Sequence, residues 1–201
     1  MDATLADQCA KLNIPVISSG RIIVADQVDN VCCRNTEGSA RATQLLLDRG
    51  RRRIAYIRGP ESYSSSRERE AGMQTTLAHA GLCPVAVCQG HYTVESGYAA
   101  ARALLDHHDF DALQCANDAM AIGALGLFQE RGVPVPGQIS VVGFDDISMA
   151  RWPGFNLTTV RNPVDATVDH IVDLLERRLA DPSKPAEVAH IDTELVLRGT
   201  H

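Results

Sequence analysis

Short apolar runs alternate with longer amphipathic segments through the middle of the chain. The clearest run spans residues 139–144, in which Ser140 is the only polar side chain, and Asp145 and Asp146 follow it directly. A run this short that is rich in β-branched residues predicts a strand buried on both faces. Because a buried strand does not tolerate charge, we expect both carboxylates to lie just past its carboxyl end.

Four helix–strand units occupy this central part. Apolar residues spaced three and four apart predict the helices, and three of these helices end near a glycine, at Gly50, Gly81 and Gly132. The predicted helices cover residues 36–48, 67–80, 94–105 and 118–131, and the predicted strands cover residues 53–58, 84–88, 111–115 and 139–144. The alternation predicts an α/β fold with a doubly wound parallel sheet and right-handed crossovers.

Further strands and helices flank this block on both sides. They are a helix at residues 4–12 and strands at 14–19 and 28–33 in front, and a strand at 157–160, a helix at 162–179 and strands at 188–191 and 194–197 behind. One economical arrangement is a protein of two lobes, in which both flanks build the second lobe and a ligand binds between the lobes.

The composition restricts the class of function. The 201 residues are 45% hydrophobic, enough for a core, and the net charge of −6 argues against nucleic-acid binding by this polypeptide itself. No apolar run approaches the ~20 residues of a membrane span, and the N-terminus lacks signal-peptide features, so we expect a cytoplasmic protein. The six cysteines lack metal-site spacing and are expected to be reduced thiols, with no cofactor.

Polar side chains collect in the loops after the predicted strands, at residues 59–66, 89–93, 116–117 and 145–152. The carboxyl ends of parallel strands share one edge of a sheet, and ligands bind there. Asp145 and Asp146 are candidates for ligand acceptors, loop caps, a Mg²⁺ site or a catalytic pair. Adjacent side chains at a strand end diverge, which favours a ligand acceptor at one of the two.

Other residues in these loops are open to two interpretations. Arg67 and Arg69 follow Ser66, a candidate helix N-cap, and are either a ligand-binding guanidinium fork or a solvated charge run. Tyr92 could be an aromatic platform, and Asn117 a bidentate amide or a helix cap. Because no nucleophile–base set or catalytic motif appears, the sequence favours binding, and we do not expect an enzyme.

Five segments in series carry a family resemblance. They span residues 50–60, 67–72, 116–124, 139–146 and 157–161, and their order and spacing fit over nearly the whole chain. Together they resemble the effector-binding domain of the LacI/GalR family of bacterial transcription regulators, which is similar to periplasmic sugar-binding proteins. The resemblance implies a dimeric DNA-binding regulator, expected to be a repressor, with a small molecule in the interlobe cleft. The alternative is a sugar-binding protein of a transport system.

The resemblance also implies roles for individual residues. Arg69 matches an arginine that grips ligand hydroxyls or carboxylates, Asn117 a cleft asparagine, and Asp145 a ligand-binding aspartate. Tyr92 falls at an aromatic stacking position, and Asn162 at a polar position on a hinge strand. The implied effector is a sugar, a sugar acid, or a nucleoside or purine.

A homodimer is the implied assembly. The positions that match the family's subunit contact are Ile122, Gly126, Arg151 and Trp152. From its surroundings in the sequence, Trp152 could also be a cleft lip or a core residue, and the resemblance favours an interface anchor. We expect Asp146 to fix the loop that carries Trp152.

The resemblance divides the chain into two lobes. Residues 1–34 and 162–182 would form a partial N-terminal lobe, and residues 35–161 and 183–201 a complete C-terminal lobe. Gly20 and Arg34 stand where the family has aspartates, which suits an anionic or purine-like ligand. DNA would be bound only through a headpiece that this chain lacks, and we expect exposed apolar surface where the missing lobe elements would pack.

Overall fold

A computed structural model describes residues 6, 8, 9 and 11–201. Its contacts divide the chain into two compact units, each built from two separate stretches of sequence. The smaller unit comprises Met1–Arg34 and Pro163–Asp192, and the larger unit comprises Asn35–Asn162 and Thr193–His201. Within the described residues, no helix combines the length and the apolar character needed to cross a membrane.

The helices and strands follow the order that the hydrophobic pattern predicts. In chain order they are β1 (Val16–Ser19), β2 (Val28–Cys33), α1 (Asn35–Asp48), β3 (Ile54–Arg58), α2 (Ser64–His79), β4 (Ala86–Gln89), α3 (Val94–His107), β5 (Ala112–Cys115), α4 (Asp118–Glu130), β6 (Ser140–Asp145), β7 (Thr158–Arg161), α5 (Val164–Ala180), β8 (Val188–Ile191) and β9 (Glu194–Val196). A short 3₁₀ helix, Ser148–Arg151, lies between β6 and β7. The helix predicted at residues 4–12 lies partly outside the described residues.

A six-stranded sheet in the order β4-β3-β5-β6-β7-β9 forms the centre of the larger unit. The strands from β3 to β7 pair in parallel, whereas β9 runs antiparallel against β7. All of β5 and all of β6 except Asp145 are buried, as expected of central strands covered on both faces. The predicted doubly wound parallel sheet is confirmed.

Helices cover both faces of this sheet. Successive side chains of β6 point to opposite faces. On the Phe144 face lies α1, where a Cβ added to Gly38 would be 3.0 Å from the Phe144 ring. On the Gly143 face lies α4, since a Cβ at Gly143 would be 2.2 Å from a carboxylate oxygen of Asp118. Helix α1 packs beside α2, and α3 beside α4.

The contact between α3 and α4 is especially close. A Cβ added to Gly123 of α4 would lie 2.0 Å from the carbonyl oxygen of Val94, and one added to Gly97 of α3 would lie 2.2 Å from that of Met120. A Cβ at Gly126, by contrast, meets nothing within 4 Å. Of the two glycines of the Gly-Ala-Leu-Gly segment in α4, Gly123 therefore packs backbone to backbone and Gly126 faces open space.

The smaller unit contains a parallel three-stranded sheet in the order β1-β2-β8, with α5 packed against it. Inside this unit, the buried carboxylate of Asp29 pairs with Arg178 at 2.8 Å and with Lys184 at 2.9 Å. Burial alone would raise the pKa of Asp29, but hydrogen bonds from the two cations outweigh it and lower the pKa. This cluster ties β2 to the end of α5 and the segment after it.

The outward side of α5 is apolar. Val164, Val168, Val172 and Leu179 are 68%, 51%, 48% and 62% exposed, respectively. The first three repeat every four residues and therefore form one stripe along the helix. Exposed apolar surface, which the sequence predicts, is thus present on this helix.

Three details differ from the sequence-based predictions. Helix α2 begins at Ser64, so Ser66 lies inside it and donates its N–H to the Tyr63 carbonyl at 3.1 Å; the prediction of Ser66 as N-cap is wrong. Strand β6 extends one residue further than predicted and includes Asp145. Residues 183–192 belong with the smaller unit, not the larger one, because β8 pairs with β2.

Candidate functional site

The carboxyl ends of the parallel strands meet at one edge of the larger unit, and five predicted ligand-binding residues lie there. Nη2 of Arg69 is 3.1 Å from Oδ1 of Asp145, and the N–H of Asn162 donates to the Asp145 carbonyl at 3.2 Å. Nδ2 of Asn117 donates to the Tyr92 carbonyl at 3.4 Å. The fold therefore brings together residues that are up to 93 positions apart in the sequence, from Arg69 to Asn162.

Arg69 is the buried cation of this edge. Its side chain is 7% exposed, and it donates to Oδ1 of Asn35 at 2.8 Å and to the Ala116 carbonyl at 2.6 Å, in addition to its ion pair with Asp145. The guanidinium carbon lies 3.7 Å from the centre of the Phe144 ring, a cation–π arrangement. Arg69 is thus not part of a solvated charge run, since its charge is directed at the Asp145 carboxylate.

Asp145 presents a carboxylate that is anchored and still accessible. Its side chain is 27% exposed. Burial raises the pKa of Asp145, although the charge and hydrogen bond of Arg69 oppose the rise. Its backbone has φ of 116°, and Asp146 follows with φ of 56°. Left-handed backbone at two successive non-glycine residues costs about 1–3 kcal/mol each and is typical of functional sites.

Asp146 has a different environment from its neighbour. Its carboxylate receives hydrogen bonds from Arg161 at 2.8 Å and from Arg198 at 2.5 Å, and its side chain is 10% exposed. Burial alone would raise the pKa of Asp146, but the hydrogen bonds from the two arginines outweigh it and lower the pKa. Both oxygens are engaged with β7 and the C-terminal segment, so Asp146 fixes this turn, and Asp145 remains the ligand candidate.

Asn117 is the N-cap of α4. Its Oδ1 accepts the N–H of Met120 at 3.0 Å, and the residue is 9% exposed. The helix-cap interpretation of Asn117 is confirmed, and the second amide contact, to the Tyr92 carbonyl, holds the loop after β4. One amide therefore orders two of the loops at the edge.

Tyr92 lies in that loop with φ of 62°. Its ring packs on Gly59, where a Cβ would be 2.1 Å from the ring, and its centre is 6.1 Å from that of Tyr63. The Tyr92 hydroxyl is buried and finds no hydrogen-bond partner in the described part of the chain. A buried hydroxyl without a partner costs about 1–3 kcal/mol, so this group is suited to a bound water or a ligand oxygen.

Asp118 is a buried carboxylate beneath this edge. Oδ1 accepts a hydrogen bond from the Thr159 hydroxyl at 2.5 Å, and Oδ2 accepts one from the Ile147 N–H at 2.9 Å. Burial is the main reason that the pKa of Asp118 rises to about 7; the two hydrogen bonds oppose the rise, and the carboxylates of Asp145 and Asp146 add to it. The pKa of this carboxyl group is thus well above that of an ordinary aspartate.

Sequence reasoning did not place three residues at this edge: Asn35, Tyr63 and Asp118, of which Asp118 was only an alternative to Asn117 as the helix N-cap. Asn35 orients Arg69 through its side-chain oxygen, and Tyr63 forms the aromatic pair with Tyr92. For Asp118 a weak signal exists, because an acid directly follows the N-cap Asn117, and the N-terminus of a helix favours negative charge. Nothing in the local sequence marks Asn35 or Tyr63.

Comparisons with known proteins agree with this architecture. Residues 43–201 match the family model described as a periplasmic binding protein-like domain. The probable HTH-type transcriptional repressor ExuR of Bacillus subtilis (strain 168) is 33% identical over 189 residues, which cover 92% of this chain and 57% of that protein. The HTH-type transcriptional regulator GalR of Escherichia coli (strain K12) is 33% identical over 164 residues, 80% of this chain and 48% of GalR. The chain belongs to the LacI/GalR family.

A solved structure of this family has the same fold. The complex of the transcriptional regulator CelR with cellobiose superposes with a TM-score of 0.91 at 31% identity and covers 98% of this chain and 62% of CelR. This LacI/GalR chain thus spans roughly half to three fifths of the length of these relatives. All three are named as transcriptional regulators, which does not favour the alternative of a transport protein.

The four predicted dimer-contact positions differ in exposure. Ile122 is 3% exposed and buried within the larger unit, so it offers little surface to a partner. Gly126 and Arg151 are exposed, and Trp152 is 53% exposed, which excludes the core interpretation of the tryptophan. Trp152 directly follows the 3₁₀ helix, in which the Ala150 N–H donates a hydrogen bond to the Ile147 carbonyl at 2.9 Å.

Proposed function

We propose that this chain is the effector-binding and dimerisation domain of a transcription regulator that binds DNA through another part of the protein. The main support is the linked set of Arg69, Tyr92, Asn117, Asp145 and Asn162 at the strand-end edge of the larger unit. These side chains combine a carboxylate acceptor, a cation and an aromatic surface. They contain no nucleophile–base pair, which fits recognition of a small polar molecule.

The chemistry of this edge suits a polyhydroxylated ligand. The partly exposed Asp145 carboxylate can accept hydrogen bonds from ligand hydroxyls, and the charge and hydrogen bond of Arg69 oppose the rise that burial causes in the pKa of Asp145. The rings of Tyr63 and Tyr92 can stack on the apolar face of a sugar or on a base, and a ligand oxygen can form the hydrogen bond that the buried Tyr92 hydroxyl otherwise lacks. CelR, named with cellobiose, supports a sugar or sugar acid over a nucleoside or purine.

Effector binding would regulate the protein by a shift in population. A ligand changes the equilibrium between two conformations only through its differential affinity for them. We propose that the effector favours one arrangement of the strand-end loops, and that the dimer transmits this preference to the DNA-binding part. The coupling expected of such systems is about 1–3 kcal/mol.

Calorimetric titration against sugars, sugar acids, nucleosides and purines tests the ligand site. A bound ligand is expected to lose about 10- to 100-fold in affinity in Asp145→Asn, because a hydrogen bond to a charged group contributes about 1.5–3 kcal/mol. Asp106→Asn, which changes an exposed carboxylate on α3, is the matched control and should bind as the parent does. Equal affinity of Asp145→Asn and the parent would refute the site.

For the dimer, we propose a contact that includes Gly126, Arg151 and Trp152 and excludes the buried Ile122. A large aromatic side chain that is half exposed is the type of residue enriched at interface centres. Sedimentation equilibrium is expected to show weaker self-association for Trp152→Ser than for the parent. Val85→Ser, which removes a 38% exposed side chain near β4, serves as the control. If both variants associate as the parent does, Trp152 is not at the interface.

A further inference from the structure

Three segments of the larger unit meet at the carboxylate of Asp118. It is the first residue of α4, directly after the N-cap Asn117. Thr159 of β7 donates to one oxygen, and the backbone of Ile147, in the loop after β6, donates to the other. Gly143 leaves room for the carboxylate, since a Cβ there would be 2.2 Å from Oδ1. The contact is thus built into the close packing of α4 on β6.

The contact to Ile147 fixes a loop with little freedom of its own. Just before Ile147 lie the two left-handed residues, Asp145 and Asp146. Just after it comes the 3₁₀ helix, in which the Trp152 N–H donates to the Met149 carbonyl at 3.0 Å. A displacement of Ile147 must therefore be taken up on both sides, at the Asp145 turn and at Trp152.

The charges around Asp118 leave it without a cation of its own. From the end of β6 it faces the carboxylate of Asp145, from the loop after β6 that of Asp146, and from β5 the thiol of Cys115. The cations nearby are paired elsewhere: Arg69 with Asp145, and Arg161 and Arg198 with Asp146. Among the described residues no ion pair of Asp118 is found. A buried carboxylate whose hydrogen-bond donors are all neutral lowers the stability of the folded state, and a neutral amide at this position would lower it less.

We propose that Asp118 is a positioning residue that couples the Asp145 turn to the Trp152 loop, through the bond that its carboxylate accepts from Ile147. The role of Asp145 rests on the function proposed above. When Asp118 is ionised, the charge strengthens the bond from Ile147 and holds both segments in the arrangement seen here. When it is protonated, this bond weakens, and the turn and the loop relax together.

The test is a pH titration by ¹⁵N–¹H NMR without any ligand. Two signals are followed: the backbone amide of Ile147 and the indole N–H of Trp152, the single tryptophan. Both are expected to titrate with a common midpoint near neutral pH. In Asp118→Asn both should be flat through this range, whereas the control Asp106→Asn should titrate as the parent does.

A second variant keeps the test decisive if Asp118→Asn does not fold. Thr159→Val removes a hydrogen bond that favours the ionised carboxylate, so the common midpoint should move upward by about one pH unit. The proposal is overturned if the parent signals do not titrate, if Asp118→Asn leaves the titration unchanged, if Ile147 titrates without Trp152, or if Thr159→Val leaves the midpoint in place. Since no ligand is added, failure of the effector assignment would not affect these results.

Discussion

The close contact between α3 and α4 gives a sharp prediction for one methyl group. Gly123→Ala would place a Cβ 2.0 Å from the Val94 carbonyl oxygen and 2.7 Å from the Tyr98 nitrogen. An ordinary carbon–oxygen contact is about 3.3 Å, so the two helices would have to separate by roughly 1 Å. Gly126→Ala is the matched control when stability is measured at a concentration at which the chain is monomeric, because within one chain it adds the same methyl group to the same helix in open space.

The two substitutions are expected to change the free energy of unfolding in opposite directions. Overpacking costs about 1–3 kcal/mol, and the obstacle at Gly123 is backbone that cannot rotate away. At Gly126, alanine should stabilise the helix by about 0.5–1 kcal/mol. A difference of about 3 kcal/mol between the variants corresponds to roughly 6–12 °C in Tm for a domain of this size.

Urea unfolding followed by circular dichroism, with Tm measured in parallel, checks this difference. Because α3 begins two residues after Tyr92, the Gly123→Ala variant should also shift the Tyr92 loop and weaken any ligand found for the strand-end edge. Equal stability of Gly123→Ala and Gly126→Ala would refute the reasoning, since it would mean that the helices separate at no cost.

Three further predictions concern charge and exposed surface. The pKa of Asp118 is raised to about 7, so the folded state binds the Asp118 proton more tightly than the unfolded state does. The free energy of unfolding should therefore fall by up to about 4 kcal/mol as pH rises from about 4 to about 7, and in Asp118→Asn urea unfolding should no longer show this fall. Asp29→Asn should lower the free energy of unfolding by about 3–5 kcal/mol, and because the pKa of Asp29 is lowered, this stabilisation is present at neutral pH and lost in acid. Asp173→Asn, which changes an exposed carboxylate, is the control and should change thermal stability by less than about 0.5 kcal/mol. Val168→Lys with Val172→Lys should reduce concentration-dependent association in sedimentation velocity, and unchanged association would show that the α5 stripe is not involved.

The sheet and its binding edge could be predicted from the sequence because both follow from periodicity. Buried parallel strands are apolar throughout, and helices between them have apolar residues at three- and four-residue spacing, so the element order follows directly. Once the sheet is parallel, the residues after each strand must meet at one edge. Arg69, Asn117 and Asp145 could therefore be expected to lie together before any contact was known.

Long-range packing decided what the sequence did not predict. The pairing of β8 with β2 joins strands more than 150 residues apart, and no local pattern assigns residues 183–192 to the smaller unit. The start of α2 was ambiguous because three successive serines, Ser64 to Ser66, can all serve as caps. The burial of Asp118 depends on Gly143 and Thr159, which belong to two other strands.

The three carboxylates at the edge differ in function because their partners differ, although all three lie at the ends of neighbouring elements. Asp146 has two arginines and almost no exposed surface, so its charge is used within the fold. Asp118 is fully buried and forms no ion pair among the described residues, and its pKa is raised to about 7. Asp145 has one buried arginine and a side chain that is 27% exposed, a combination that suits a hydrogen bond from a ligand hydroxyl. If Asp145→Asn and Asp146→Asn were to weaken ligand binding equally while only the latter lowered stability, this division between the neighbours would be wrong.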